Sequence, residues 1–146
     1  RAAVSCGLFG RQINAMQKFS VSTQQRDQMV EITADVQHIL DQAGIDDGSV
    51  IVYVPHTTAG VTINENADPD VVHDSLKRLD KMVPWREPFD RHGEGNSASH
   101  IKASMMGSSV TVLVQQGRLQ LGRWQGIWFC EFDGPRTRST WVTVNG

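Results

Sequence analysis

The chain has 146 residues, with 14 Lys+Arg against 16 Asp+Glu for a formal net charge of −2. A chain of this length builds one ordinary domain and buries roughly 68–70% of its unfolded surface without needing disulfides or a structural metal. Balanced charge with 39% hydrophobic residues excludes a disordered chain and gives duplex nucleic acid no basic face, and the apolar runs are strand-sized, too short to span a bilayer.

Residues 1–15 carry no clean period and open on Arg1. They are expected to be a leader, an upstream extension or an expression-derived remnant, with a single domain over residues 16–146. Residues 18–23 alternate apolar and polar, which predicts a half-buried strand. From Asp27 onward, Met29, Ile32, Val36, Ile39, Leu40 and Ala43 recur at helical spacing, and Gly44 offers the stop. Residues 49–54 predict a buried strand, and residues 60–64 alternate again. Asp68 before Pro69 pairs an N-cap with a proline at the first helical position, ahead of the stripe Val72, Leu76, Leu79 and Val83. Residues 84–96 form a long loop, a length that in compact domains signals function or mobility. Ser97 is expected to cap a short helix ending at Met106. Strands are predicted over 109–115, 124–132 and 137–144, with a turn or an additional short strand over 118–123. The pattern is an α+β fold with a mainly antiparallel sheet and about three helices. Cys6 and Cys130 lie far apart and outside any Cys-x-x-Cys pattern. A thiolate zinc site or disulfide framework is therefore not expected, and a cytoplasmic location is.

His38 and His73 fall off the apolar stripes of their helices and read as surface residues. His56 follows Pro55 where a buried strand ends, His92 lies in the long loop, and His100 sits in the first turn of the last helix. Each can be explained by local hydrogen bonding. Were the three to converge, neutral imidazoles with a carboxylate or water would suit zinc or a similar ion. Asn64, Glu65 and Asp68 crowd one strand-to-helix turn. Asp68 fits a cap, whereas Glu65 has no cap to fill and is a candidate for proton transfer or for orienting a histidine. Between Gly117 and Gly126, Arg118 suits a phosphate, Trp124 a planar heterocycle and Gln125 an amide contact, although a solvated turn accounts for the same residues. Glu131 ends an apolar strand, and a carboxylate there invites a functional reading.

These blocks resemble the YjbQ family, also called the secondary thiamine-phosphate synthase family. The matching stretches are residues 55–60 (PHTTAG), 64–70 (NENADPD), Arg91-His92 with His100-Ile101-Lys102, and residues 117–125 with Glu131. The resemblance runs from Met16 to the C-terminus, while residues 85–90 have no matching segment. It implies a small homotrimer with packed antiparallel sheets in a sandwich-like arrangement and sites near subunit interfaces. The implied reaction joins a hydroxymethylpyrimidine diphosphate to a thiazole phosphate and releases pyrophosphate. On that basis His56, His92 and His100 are expected to ligate a divalent ion, zinc or magnesium. Glu65, Asp68 and His56 would be catalytic, and Asn64, Arg91, Lys102, Arg118, Trp124, Gln125 and Glu131 would bind a phosphorylated heterocycle. The alternatives are a metal-dependent phosphoester hydrolase and a non-catalytic trimer that binds a phosphorylated metabolite. No nucleic acid or membrane partner is expected.

Overall fold

The computed structural model describes residues 15–146, so the extension expected over residues 1–15 lies outside the described residues, Ala15 apart. In chain order the elements are β1 (Gln17–Ser22), β2 (Gln28–Glu31), α1 (Thr33–Ala43), β3 (Gly48–Tyr53), β4 (Ala59–Glu65), α2 (Pro69–Met82), α3 (Ser97–Met106), β5 (Ser109–Gln115), β6 (Arg118–Leu119), β7 (Gln125–Glu131) and β8 (Thr137–Asn145). The strands form two antiparallel sheets, β1-β8-β3-β5-β6 and β2-β7-β4.

Period-two alternation decides which side chains meet between the sheets. Val50 and Val52 of β3, Val112 and Val114 of β5, and Val142 and Val144 of β8 point inward to meet Val61, Ile127 and Phe129 of the smaller sheet. Helix α1 joins this core through Val36, Ile39 and Leu40. The other face of the smaller sheet offers Met29, Trp128 and Cys130 to Leu76 and Leu79 of α2 and Ala103 and Met106 of α3. The smaller sheet is thus covered on both faces. Gly60 makes the close approach of β4 to α3 possible: a Cβ there would stand 2.6 Å from the Gly107 carbonyl oxygen and 3.1 Å from Met106 Cβ.

Most expected elements appear, with three differences. The helix placed from Asp27 begins at Thr33, because residues 28–31 pair with β7 as a strand. Met29, partly buried, and Ile32, buried, lie on either side of that change, so their spacing mimics a helical turn. Gly44 does end the helix in a left-handed conformation, with φ 65°. The last helix is capped at Asn96, not Ser97, and no side-chain capping bond forms there. In contrast, Asp68 caps α2 as expected, accepting the Asp70 amide at 2.9 Å.

Lys102 is the third difference. Instead of facing a substrate phosphate, its ammonium is 1% exposed and held by Asp27 at 2.7 Å and Asp80 at 3.0 Å. A buried amine must be paired, and these two carboxylates take up its charge. Arg26 extends the network, pairing with Asp27 and Asp80 at 2.8 Å each and lying 4.5 Å over the Trp85 ring. Lys102→Met keeps the side-chain volume but strips the charge. It is expected to lower the unfolding free energy in urea by about 3 kcal/mol, the low end for breaking a buried pair because Arg26 still faces Asp27. The hydrogen bond from Lys102 holds the Asp80 carboxyl below its ordinary range. That contribution is present above the unfolded carboxyl pKa and lost as pH falls through the folded one, so acid titration below about pH 4 should separate wild type from Lys102→Met less than neutral pH does.

Candidate functional site

Where β3 runs out, Pro55 turns the chain and His56 is left at the mouth of a cleft. The opposite wall is the start of α3, with Asn96 at its N-cap and His100 one turn in. The turn between β7 and β8 supplies Asp133 and Arg136, and Thr58 and Arg138 form the floor. This cleft has a volume of about 310 Å³. His100 also borders a neighbouring hollow with His56 and Ser104, and an outer groove with His92. The His92 and His100 rings meet edge to face with centroids 5.2 Å apart. The long loop and α3 therefore bring two of the expected histidines together, and the third lines the same cleft as His100.

The floor is an ion pair between the sheets. Glu131 is the last inward residue of β7 and Arg138 the first of β8. Their bidentate contacts are 2.8 and 2.6 Å, with Glu131 0% and Arg138 7% exposed. The carboxylate also accepts from Thr23 Oγ1 at 2.8 Å and from the Phe132 and Asp133 amides. Every lone-pair direction of Glu131 is thus spoken for by protein groups, which places it in the scaffold and not against a substrate. Arg138 also donates from Nη2 to Thr58 Oγ1 at 2.8 Å.

The Ser139 amide donates to His56 Nε2 at 2.9 Å. That occupies the Nε2 lone pair, so the neutral ring carries its proton on Nδ1. Burial pushes the His56 imidazolium below its ordinary pKa, and the Arg138 guanidinium adds to the effect. His56 is therefore a neutral ring with its Nε2 lone pair already used. This does not fit a three-imidazole metal centre, and among the described residues no three His, Cys, Asp or Glu side chains are grouped to hold a metal ion. His92 Nε2 stands 3.9 Å from Glu94, and the His100 ring makes no hydrogen bond.

Asn96 is a functional candidate that sequence reasoning left out, and Arg136 one that it reached only as part of the arginine-rich stretch from Arg118 to Arg138. Arg136 is half-exposed and tied to Asp133 at 3.1 Å. Asn96 donates Nδ2 to Asp133 at 2.9 Å, which leaves its buried Oδ1 without a partner. Such an acceptor costs about 1–3 kcal/mol until a donor reaches it. The visible signals were slight: an arginine after the Gly-Pro turn, and an asparagine just before the helix.

The remaining expected residues lie elsewhere. Glu65 pairs in register with Gln125, and Ala59 with Glu131, so the two ends of this ladder are six residues apart. At about 3.4 Å per residue that is roughly 20 Å. Asn64, Glu65, Asp68, Trp124 and Gln125 gather at the far end, away from the histidines. There Gln125 accepts the Gly122 amide at 2.8 Å, and Trp124 is exposed with Arg123 stacked at 4.8 Å. Arg118 borders a separate hollow with Glu31, Gln37 and Leu121. Arg91 lines the outer groove beside His92. His38 and His73 are exposed, as their helical positions indicated.

Two packed antiparallel sheets, helices over the smaller one, and a histidine-lined cleft at one sheet end define a small α+β class of domain. Residues 17–146 match the family model described as UPF0047 protein YjbQ-like. The chain is 52% identical over 131 residues to YugU of Bacillus subtilis, covering 90% of this chain and 99% of that one. It is 45% identical over 134 residues to MJ1081 of Methanocaldococcus jannaschii, covering 92% and 96%. A YjbQ/UPF0047 crystal structure from Clostridium acetobutylicum superimposes with TM-score 0.86 at 50% identity, covering 88% and 99% of the two chains. The chain belongs to the YjbQ (UPF0047) family, a family of uncharacterised function.

The geometry at His56 has a direct spectroscopic consequence. Nitrogen-edited NMR is expected to find its proton on Nδ1 and its titration midpoint below the ordinary histidine value near 6.5. Since the folded pKa is lowered, the stabilisation from a neutral His56 is present above the unfolded value and lost as pH falls through the folded one. An Nε2-protonated ring would refute the tautomer.

Proposed function

We propose that this protein is an enzyme of the secondary thiamine-phosphate synthase type. In that reaction the thiazole ring nitrogen of the thiazole phosphate attacks the methylene carbon of a hydroxymethylpyrimidine diphosphate. The new C–N bond forms as the C–O bond to the diphosphate breaks, and the departing electron pair stays on pyrophosphate. The observation that carries the reading is the convergence of His56, His100 and Arg136 on one cleft. Donors fixed where negative charge develops stabilise a leaving group without reorganising at the moment of reaction. In this proposal the His56 Nδ1–H and the Arg136 guanidinium face the departing pyrophosphate, while His100, unclaimed by any hydrogen bond, donates a ring N–H to the same leaving-group oxygens.

The divalent ion enters the proposal as magnesium carried in on the diphosphate, and no step is assigned to a resident ion. A homotrimer and a cytoplasmic location are part of the same reading. The trimer would allow the far-end set around Glu65, Arg118 and Trp124 to reach the histidine cleft of a neighbouring subunit. The outward face of the larger sheet, where Tyr53 and Leu113 are exposed, supports an assembled state. Native mass spectrometry giving three chains per particle is expected, and a monomer would remove the far-end set from the site.

The free His100 ring also suits activation of water, which favours phosphoester hydrolysis as the second reading. One assay separates the two. Purified protein given both thiamine precursors and magnesium should form thiamine phosphate and pyrophosphate in equal amounts, and Arg136→Ala and His100→Ala should each lower kcat/KM by about 10²-fold. Inorganic phosphate without coupled product would assign hydrolysis. Binding of the precursors with no turnover would leave a metabolite-binding protein.

A further inference from the structure

The outer groove beyond His100 differs in character from the cleft. It has a volume of about 620 Å³, within the size range of small-molecule sites. Its apolar walls are Phe89, 75% exposed, and Ile101, 49% exposed. Both stand among the exposed large hydrophobic side chains of the described residues. Arg91 and Ser97 border the same groove, and neither side chain makes a hydrogen bond or ion pair. His100 walls both the groove and the cleft, so a ligand of modest length spans the two.

A site of this kind has one end built for charge and one for a ring. A sugar phosphate has only narrow C–H faces between its hydroxyls and covers little of a phenyl and an isoleucine left in water. A planar uncharged ring covers both and offers its ring nitrogens to Ser97 and Arg91. We propose that the groove formed by Phe89 and Ile101 receives the planar ring of an aryl or heteroaryl phosphate whose phosphate lies in the cleft beside Arg136. This rests on the anion-binding role given to the cleft above, and it moves the ring from Trp124, where the sequence suggested it, to Phe89 some distance away.

Isothermal titration with three probes tests it: inorganic phosphate, phenyl phosphate and ribose 5-phosphate. Wild type should bind phenyl phosphate about tenfold more tightly than ribose 5-phosphate, the scale of one well-placed aromatic contact. Phe89→Ala should erase most of that difference and leave inorganic phosphate binding unchanged, with Ile101→Ser giving the same pattern more weakly. Equal affinity for phenyl and ribose phosphates overturns the proposal, as does a Phe89→Ala variant that weakens all three probes alike. Loss of assembled mass in Phe89→Ala would assign the ring to a subunit contact and overturn it as well. Failure of the underlying reading shows differently: inorganic phosphate would not bind, or would bind as well to Arg136→Ala.

Discussion

The Glu131–Arg138 pair is the constraint on which the rest of this structure depends. It lies between the sheets, where the alternation of β7 and β8 would otherwise place two apolar side chains. Burying two ions is costly, and a buried pair is weak evidence of stability by itself. Its value here lies in direction. Glu131 is surrounded by donors just past the ends of β1 and β7 and from β8, and Arg138 reaches across to Thr58 just before β4. The ends of both sheets are therefore locked to one another at the point where His56 leaves β3. The same guanidinium helps keep His56 neutral, and the strand that carries it supplies the Ser139 amide that claims Nε2.

A second buried charge does similar work for the other two histidines. Lys102 is two residues from His100 on α3, and its carboxylate partners come from the β1–β2 connection and from α2. Arg26 joins that network and stacks on Trp85, at the beginning of the loop that carries His92. His56 and His100 thus sit beside buried ion pairs and the His92 loop is held through the Arg26–Trp85 stack, while the His100 ring is left without a hydrogen bond. Rigid support beneath adaptable side chains is the usual requirement of a site that must hold a geometry.

Much of this was legible from the sequence where the signal was local. The cap and proline of α2, the glycine ending α1 and the alternating strands depend on residues within a few positions of each other, and they appear where expected. What the sequence could not reveal was pairing between distant residues. Nothing near Lys102 distinguishes a phosphate ligand from a buried ammonium, because Asp27 lies 75 positions away and Asp80 lies 22. Glu131 reads as a reactive carboxylate because Thr23 lies 108 positions away and Arg138, though only 7 positions on, belongs to the opposite sheet. Met29 satisfied a helical period by chance, since a four-residue strand is too short for its own period to win. The far-end cluster stands apart from the histidines within one chain for a similar reason: adjacent motifs in the chain occupy opposite ends of one ladder.

Magnitude separates the arginines that build the site from those free to serve it. Arg138 is 7% exposed and commits all its described bonds to Glu131 and Thr58, so displacing it would leave a buried carboxylate unpaired, a loss of about 3–5 kcal/mol. Arg136 is 54% exposed and shares one carboxylate with Asn96, a contact of the kind that contributes about 0–1 kcal/mol. An incoming phosphate competes easily for the second and not at all for the first. Net charge is a poor guide for the same reason. The chain is slightly acidic, yet Glu131, Asp27 and Asp80 spend their charge on buried or bridging cations. Arg136 and Arg91 are left near the histidines with weak ties or none. A protein of formal charge −2 can therefore still offer an anion a guanidinium at Arg136, although Asp133 and Glu94 line the same cleft and an anion must displace the first of them from Arg136.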